Sequence, residues 1–358
     1  KTGLDPYNDG LTIETTIDSK AQQRLYDIVN TNDYIQYVND KIQNAVVMLD
    51  TKTGAVRAVN GGRKQTTLLG YNRATDNSRS TGSTIKPVID YGPAIEYLNY
   101  STGQTIMDQR TTYSNGVELN NWDFSHKGAM TLRTALVYSR NTTALQTFKA
   151  VGETNIKSFL NNLDIQIKND GQDYLVESNS IGADISPIKM AAAYATFGNY
   201  GNYSKPYTVT KVTTRDGQVT EFKPEQKQAM KDSTAYMITD VLKDSFKYGF
   251  ATQAAIPGLP TAAKTGSSNY TVEQKRAMGA SDYEDIIPDS WFIGYSTDYT
   301  ISAWTGYDNP YEQGGGVDTT EQEYSRLIYY YLMKYMAESS SGDDWVQPDS
   351  VVKQQIEI

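Results

Sequence analysis

The chain has 358 residues, of which 38% are hydrophobic and 21% charged, and its formal net charge is −9 at pH 7. These values indicate a globular protein with one sizeable core, and an acidic chain without a long basic run argues against a nucleic-acid partner. The absence of cysteine excludes disulfides, thiolate catalysis and cysteine-ligated metals, and the single histidine, His126, excludes a multi-histidine metal site. We therefore expect no metal and no cofactor, and we predict that His126 is a solvated loop residue, not a catalytic base.

The chain divides into three predicted parts. Residues 1–44 form an N-terminal linker module, residues 45–338 the main domain and residues 339–358 a polar C-terminal tail. Neither a run of about 18 apolar residues nor a signal peptide occurs, so the sequence predicts no membrane span. Because the chain opens abruptly at Lys1, we expect a piece of a longer protein whose anchor or targeting segment lies elsewhere.

Hydrophobic periodicity predicts the first elements. An alternating strand pattern over residues 11–17 leads to Asp18, which can cap a helix. The apolar stripe of this helix consists of Ala21, Leu25 and Ile28.

Strand patterns lie at both ends of the main domain, with helical patterns between them. A hairpin is predicted over residues 45–60, a strand over 259–270 and a second hairpin over 289–306. The helical patterns cover residues 84–98, 131–138, 142–151, 187–198 and 232–248. A closing helix over 321–338 is predicted to bury Tyr324, Leu327, Ile328, Tyr331, Leu332 and Tyr335 on one face. The arrangement predicts an α+β fold in which first and last strands pair in one antiparallel sheet across a helical subdomain.

Three short motifs occur in one order along the chain. They are Ser-Thr-Ile-Lys at residues 83–86, Ser-Arg-Asn at 139–141 and Lys-Thr-Gly at 264–266. This order is typical of acyl-transferring serine enzymes in which a lysine handles the proton. Ser139 and Asn141 fall between two predicted helices, where a loop can project a hydroxyl and an amide into a cleft.

Each motif has a second match, and local context separates the copies. Lys-Thr-Gly at residues 52–54 lies between two apolar runs and predicts a hairpin turn. Ser-Pro-Ile-Lys at 186–189 opens a periodic apolar segment with proline at its first position, so Ser186 is predicted to be a helix N-cap. Ser-Ser-Asn at 267–269 directly extends the strand of the third motif and is not an independent element.

The first motif has the local features that a nucleophilic serine needs. Pro87 is tolerated only in a first helical turn and Gly82 permits a tight entry, so a helix begins near Ser83. Ser83 then lies at the positive end of the helix, and Lys86 shares its face. To accept a proton, Lys86 needs its pKa lowered from about 10.4 to roughly 7–8, which burial and the second cation Lys264 can provide. With no cysteine and one loop histidine, the lysine is the base that composition leaves.

With these motifs, the chain resembles the transpeptidase domain of class A penicillin-binding proteins. The resemblance also rests on Tyr-Asn-Arg-Ala-Thr at residues 71–75, on Asn-Trp-Asp at 121–123 and on Met-Thr-Leu-Arg-Thr-Ala-Leu at 130–136. It covers residues 11–310. It implies the penicilloyl-serine transferase (β-lactamase-like) fold, in which a five-stranded antiparallel sheet flanked by helices adjoins an all-helical subdomain, with the site in the cleft between them.

The resemblance implies a role for each catalytic residue. Ser83 would attack the D-Ala-D-Ala carbonyl of a stem peptide, Lys86 would take its proton, and Ser139 would pass a proton to the leaving D-alanine. Asn141 would hold Lys86 and the substrate amide, and Lys264 would supply positive potential.

Further residues are expected to contact the substrate. Thr265 and Ser267 would bind the terminal carboxylate, and the backbone N–H groups of Ser83 and Ser267 would form the oxyanion hole. The remaining predicted contacts to substrate or β-lactam are Thr84, Trp122 and Gly266.

The implied function is D,D-transpeptidation, in which peptidoglycan stem peptides are cross-linked through a serine acyl-enzyme that β-lactams also form. Members of this class carry a membrane anchor and a glycosyltransferase domain, which we expect in the full-length protein and do not find in these 358 residues. The resemblance to this class implies a location at the outer face of the cytoplasmic membrane. Expected partners are stem peptides, β-lactams and other cell-wall synthesis proteins.

Three alternatives use the same motifs. A class A β-lactamase needs a glutamate in a Glu-x-x-Leu-Asn context, which the run Glu-Ser-Asn-Ser at residues 177–180 does not match. A D,D-carboxypeptidase shares the first half-reaction with water as the acceptor, and the sequence leaves it open. A non-catalytic module that binds β-lactams or peptidoglycan would keep the cleft without turnover.

Overall fold

Five antiparallel strands form the central sheet of the protein, for which a computed structural model describes residues 3–355. Residues 1–2 and 356–358, the outer ends of the predicted linker module and tail, lie outside the described residues. The strands are β1 (Thr12–Thr15), β2 (Gln43–Asp50), β3 (Val56–Asn60), β4 (Arg79–Ser80), β5 (Thr105–Asp108), β6 (Thr111–Thr112), β7 (Glu118–Leu119), β8 (Gly128–Thr131), β9 (Asp184–Ile185), β10 (Asn202–Ser204), β11 (Val209–Thr213), β12 (Val219–Glu221), β13 (Gln226–Gln228), β14 (Ala262–Ser267), β15 (Asp289–Tyr295) and β16 (Tyr299–Gly306).

The helices differ in hydrogen-bond pattern. The α-helices are α1 (Ser19–Asn30), α2 (Gly92–Leu98), α3 (Leu132–Val137), α4 (Asn141–Val151), α5 (Glu153–Asn162), α6 (Pro187–Gly198), α7 (Asp232–Lys243), α8 (Val272–Ala277) and α9 (Tyr324–Ala337). Short 3₁₀ helices cover Gly82–Ile85, Glu177–Ser180, Asp244–Phe246, Thr252–Ala254 and Glu321–Glu323, and a π-helical turn covers Pro87–Tyr91.

The central sheet has the strand order β14-β15-β16-β2-β3. Ala303 of β16 lies opposite Val46 of β2, and Ile293 of β15 lies opposite Lys264 of β14. Strands β2, β15 and β16 are buried along most of their length, which explains their apolar sequences. The predicted pairing of strands from both ends of the main domain, and both predicted hairpins, are confirmed.

Helices cover both faces of this sheet. On one face α1 and α9 close a core that contains Leu25, Ile28 and Phe292, so the predicted apolar stripe of α1 is buried. On the other face α6 packs against β2 and β16, and its core continues into the helical subdomain around α2 to α5 and α7. The edge strand β14 packs against the 3₁₀ helix Gly82–Ile85, so sheet and subdomain meet where two of the motifs lie.

Helix α9 buries half of the residues predicted for its apolar face, namely Tyr324, Ile328 and Leu332. Its buried residues are Tyr324, Ser325, Ile328, Tyr329, Leu332, Met333 and Met336. Leu327, Tyr331 and Tyr335 are only partly buried, because this side of α9 faces α1 and the loop that follows it. The Tyr331 ring meets Tyr34 edge to face at 5.4 Å, and the Arg24 guanidinium lies 4.4 Å from the centre of the Tyr335 ring. Helix α9 contacts the sheet on one side and α1 on another. Hydrophobic periodicity does not show which of these two sides is the more buried.

The sequence missed the short elements. The strand pairs β4–β9, β5–β8 and β6–β7 have two to four residues each, too few for a periodic pattern. Helix α5 was also missed, and β1 pairs with the distant strand β11. The division of the chain at residue 44 stays a prediction. None of the helices between residues 3 and 355 has both the length and the apolar character needed to cross a bilayer.

The polar stretch after α9 docks onto the domain and is not free. Trp345 is 6% exposed, packs against Tyr295 with ring centres 5.5 Å apart, and donates from Nε1 to the Gly198 carbonyl at 2.8 Å. The Nζ of Lys243 lies 2.6 Å from the Asp344 carboxylate. The polar composition of this segment therefore did not indicate that Trp345 attaches it to the domain.

Candidate active site

Ser83 lies at the start of an irregular helix. It belongs to the 3₁₀ helix Gly82–Ile85, and among residues 81–90 it is the one residue that is not buried. Pro87 has no N–H to donate to Ser83, whose carbonyl accepts from the Lys86 N–H in a 3₁₀ pattern. A π-turn follows, and regular α-helix begins only at Gly92, so the predicted helix over 84–98 is correct in position but not in type.

Two glycines let this helix approach strand β14. A Cβ atom on Gly82, which has a φ of +48°, would lie 2.2 Å from the carbonyl oxygen of Ser267. A Cβ atom on Gly266 would lie 2.5 Å from the carbonyl oxygen of Thr81. The turn that holds Ser83 therefore lies directly against the part of β14 that holds Ser267.

Lys86 is completely buried behind Ser83 and is held by the second motif. Its Nζ lies 2.8 Å from the carbonyl oxygen of Ser139, 2.7 Å from Oδ1 of Asn141 and 3.3 Å from Oγ of Ser139. Burial lowers the pKa of Lys86 well below its usual value, and the neighbouring charge of Lys264 lowers it further. A neutral amine has two N–H donors and one lone pair, so the two carbonyl acceptors use both donors and leave the lone pair for a hydroxyl.

Lys264 reaches the same serine from the sheet. Its Nζ lies 2.9 Å from Oγ of Ser139 and 2.9 Å from the carbonyl oxygen of Thr265. Burial lowers the pKa of Lys264 to about 7. Both motif lysines thus meet at one buried hydroxyl, where a proton can pass between amine and hydroxyl groups without crossing bulk water.

Ser139 is held in an uncommon backbone conformation. Its φ is +54°, in the left-handed region, which a residue other than glycine adopts only when its surroundings impose it. The residue is 6% exposed and follows Tyr138, the C-cap of α3. This geometry aims the Oγ atom at the two lysines, and no motif marks a left-handed residue at this position.

A buried ion pair holds the second motif in place. Arg140 donates from Nε to Oδ2 of Asp108 at 2.8 Å and from Nη1 to Oδ1 of Asp123 at 2.9 Å. Asp108 also accepts from Oγ1 of Thr142 at 2.6 Å and from Nδ2 of Asn121 at 2.7 Å. Burial raises the pKa of Asp108, but these hydrogen bonds and the Arg140 charge outweigh it and keep that pKa below its usual value.

This support was missed because its central carboxylate is remote in sequence. Asp108 ends the four-residue strand β5, and no motif marks it. Asn121 belongs to the Asn-Trp-Asp run of the family resemblance, and its Oδ1 accepts from the Asn141 N–H at 2.7 Å. The one available signal was the arginine inside the second motif, because a buried arginine requires a carboxylate partner.

The predicted substrate contacts fall into two groups. Trp122 is 55% exposed at the rim, where its Nε1 donates to the Tyr138 carbonyl at 3.1 Å, and Thr265 and Ser267 reach the surface along β14. Thr84 is fully buried, and its hydroxyl donates to the Thr81 carbonyl at 2.8 Å. The Thr84 side chain thus stabilises the turn that holds Ser83, and the substrate contact predicted for Thr84 stays a prediction.

The duplicate motifs and the histidine lie apart from this cluster. The Lys-Thr-Gly at residues 52–54 forms the turn between β2 and β3, as predicted. Ser186 occupies the N-cap position of α6, but its side chain makes no capping hydrogen bond, so that part of the prediction is wrong. His126 lies in a loop but is only partly exposed, with Nδ1 3.8 Å from Oδ1 of Asp108, so the prediction of a solvated histidine is also wrong. Within residues 3–355 no group of three or more acidic or histidine side chains is arranged to hold a metal ion.

Comparisons with known proteins agree on one family. The model of the penicillin binding protein transpeptidase domain matches residues 44–330. Penicillin-binding protein 1A/1B of Bacillus subtilis is 39% identical over 363 residues, which cover 100% of this chain and 38% of that protein. Penicillin-binding protein 1A of Streptococcus oralis is 38% identical over 356 residues, which cover 96% of this chain and 55% of that protein. The chain thus spans between 38% and 55% of the length of these curated relatives.

Solved structures share the fold. The penicillin-binding protein PonA1 from Mycobacterium tuberculosis has a TM-score of 0.82 at 22% identity, with 98% of this chain and 93% of that chain covered. The same protein in complex with penicillin V has a TM-score of 0.81, also at 22% identity, with 96% and 90% covered. These likenesses and the five-stranded antiparallel sheet confirm the fold that the sequence predicted.

Proposed function

We propose, since the chain belongs to the family of penicillin-binding protein transpeptidase domains, that it cross-links peptidoglycan stem peptides through an acyl-enzyme on Ser83. The observation that carries the proposal is that Lys86 and Lys264 both contact the Ser139 hydroxyl. Ser83, the one residue among 81–90 that is not buried, belongs to the turn that leads into Lys86. Burial depresses the pKa of both lysines, so an amine can act as a base near neutral pH.

Acylation begins at the D-Ala-D-Ala peptide bond. Lys86 takes the proton of Ser83 as the Oγ atom bonds to the carbonyl carbon. The N–H groups of Ser83 and Ser267 stabilise the oxyanion, for which one well-placed donor contributes about 3–4 kcal/mol. The C–N bond then breaks, and the leaving D-alanine nitrogen receives a proton through Ser139.

Deacylation reverses these roles with a new nucleophile. The amine of a second stem peptide attacks the ester carbonyl and gives up a proton to the Ser139 and Lys86 pair. The new amide bond forms as the C–O bond to Ser83 breaks, and Ser83 regains its proton. Lys264 and Thr265 at the mouth of β14 supply positive potential and a hydroxyl for the substrate carboxylate.

The relatives support a proposal for the cellular setting of the chain. We infer that it acts at the outer face of the cytoplasmic membrane, in a longer protein that carries an anchor and a glycosyltransferase domain. Its substrates there are stem peptides, β-lactams are its inhibitors, and other cell-wall synthesis proteins are its candidate partners.

The alternatives differ in what removes the acyl group. A β-lactamase needs a carboxylate that activates water. The Glu177 carboxylate instead accepts from the backbone N–H of Ser114 at 2.6 Å and pairs with the Lys149 ammonium at 3.1 Å. A donor peptide ending in D-Ala-D-Ala, offered with and without an amine acceptor, separates the remaining cases. We expect a cross-linked product with the acceptor. Release of D-alanine with hydrolysed donor alone would identify a carboxypeptidase, and no release would identify a binding module.

Replacement of Gly82 by alanine tests the junction between the nucleophile turn and β14. The methyl group would overlap the Ser267 carbonyl, so the turn and the strand must separate. A displacement of about 1 Å can reduce a rate about 100-fold, and we expect acylation by a fluorescent penicillin to slow by that factor.

The matched control is Gly217→Ala. Gly217 also has a positive φ, +85°, but nothing lies within 4 Å of its Cβ position. This variant carries backbone strain without the overlap and should acylate at the wild-type rate. Equal rates for Gly82→Ala and Gly217→Ala would contradict the role assigned to the junction.

A further inference from the structure

Asp90 is a buried carboxyl group that the proposed mechanism does not use. It lies four residues after Lys86 and is 0% exposed. Neither of its side-chain oxygens has a hydrogen-bond partner among the described residues. An ionised carboxylate without donors is strongly disfavoured in such a site, whereas a protonated carboxyl group is tolerated.

The π-turn brings Asp90 to the side of the helix that carries the base. The Gly92 N–H donates to the carbonyl of Pro87, five residues earlier, which is the hydrogen bond of a π-helix. In such a turn, side chains four residues apart project to the same side of the helix. Lys86 and Asp90 nevertheless form no ion pair in the described part of the chain. The Lys86 amine turns toward Ser139 and Asn141 instead.

The surroundings of the two groups favour neutral forms of both. Burial raises the pKa of Asp90 well above its usual value, against the effect of the Lys86 charge. Burial and Lys264, with a smaller effect from Arg140, lower the pKa of Lys86, against the effect of Asp90. If Asp90 were ionised, it would therefore stabilise the ammonium form of Lys86 and remove the base.

Other ionisable groups near this turn are either neutral or engaged elsewhere. The Tyr91 hydroxyl is buried and lies 2.9 Å from Oγ1 of Thr143. Among the charged residues of the elements packed against the turn, Lys149 pairs with Glu177, Lys157 with Glu153, and Arg133 with Asp240 and Asp244. The Glu96 carboxylate of α2 accepts hydrogen bonds from the Lys231 N–H and the Thr234 hydroxyl. Lys86 is thus the group to which a charge on Asp90 would couple.

We propose that Asp90 is a positioning residue that carries a proton and no charge in the free enzyme, and that this neutrality keeps Lys86 a free amine. The inference rests on the proposed function, because it concerns the base of the acylation step. No bond forms or breaks at Asp90 during that step. The Ser83 proton moves to Lys86, and Asp90 retains its own proton.

The test combines infrared spectroscopy with a pH profile of Asp90→Asn. In wild-type protein labelled with ¹³C-aspartate, we expect the C=O stretch of a protonated aspartate at neutral pH, and we expect Asp90→Asn to lack this band. The acid limb of penicillin acylation in Asp90→Asn should keep its midpoint within about half a pH unit, because no charge has been removed.

An ionised Asp90 gives the opposite results. The infrared band would be absent from wild-type protein, and removal of the negative charge would lower the midpoint of the acid limb by more than about one unit. Either result overturns the inference. If Asp90→Asn fails to fold, labelled Asp184→Asn protein decides the question, because a band that persists there comes from Asp90 and its absence refutes a protonated Asp90.

The control variant is Asp184→Asn. Burial and the charge of Asp289 raise the pKa of Asp184, which makes it the other candidate for a protonated aspartate within residues 3–355. We expect the band of Asp90 to persist in Asp184→Asn, and its loss there would overturn the assignment. If wild-type protein forms no penicillin adduct at all, the proposed function fails, whereas the infrared band still reports the charge of Asp90.

Discussion

Acylation by penicillin is expected to slow by about 10²–10⁴-fold when Lys86 is replaced by methionine, because the variant loses its general base. Methionine is apolar and of similar length, so it can occupy the completely buried space of the lysine. The slow reaction that remains should also lose the acid limb that protonation of the Lys86 amine produces. Stopped-flow measurement with a fluorescent penicillin, from pH 5 to 9, gives both quantities.

The duplicate motif supplies the matched control. Lys189 occupies the same position in Ser-Pro-Ile-Lys but is exposed on α6. Lys189→Met should acylate at the wild-type rate with an unchanged pH profile. Wild-type behaviour of Lys86→Met, with a thermal midpoint close to that of the wild type, would mean that another group takes the serine proton.

The largest loss of stability is expected for Arg140→Met. The variant leaves the Asp108 carboxylate, which is fully buried, without its guanidinium partner. Removing one member of a buried ion pair reduces the free energy of unfolding by about 3–5 kcal/mol. Urea denaturation at pH 7 measures this loss.

The pH dependence of that loss has a definite sign. The pKa of Asp108 is lowered in the native protein, so the stability due to its ionised form is present above the unfolded pKa, near 3.8, and disappears as the pH falls through the native value. A protonated Asp108 needs no counter-charge, so the difference between Arg140→Met and wild type should shrink below about pH 4. Arg276→Met, which breaks the exposed pair of Arg276 with Asp282, should leave the urea midpoint nearly unchanged. Equal midpoints for Arg140→Met and Arg276→Met would contradict the role of the buried pair.

Local rules selected the proposed reactive residues from the sequence. Proline and glycine around the first motif fix where a helix can begin, and that constraint involves only neighbours in the chain. The apolar runs of β2, β15 and β16 are long enough to predict strands, and their positions at both ends of the domain indicate the shared sheet. These features depend on a few consecutive residues, which explains why they were predictable.

The parts that were missed depend on contacts between distant residues. Asp108 accepts a hydrogen bond from Arg140, which lies 32 residues later in the sequence. Trp345 belongs to a segment that is otherwise polar, yet its ring packs against Tyr295. Thr84 faces inward because the turn is a tight 3₁₀ helix, which the motif does not reveal. The buried and unpaired state of Asp90 likewise follows from packing of the helical subdomain around the π-turn.

The identity of the nucleophile is the central claim, and mapping of the penicillin adduct tests it most directly. Protein incubated with penicillin, digested and analysed by mass spectrometry should carry one penicilloyl group per chain, on Ser83, with none on Ser186 or Ser267. The same treatment of Ser83→Ala should give no adduct. An adduct on another serine, or persistent labelling of Ser83→Ala, would contradict the account.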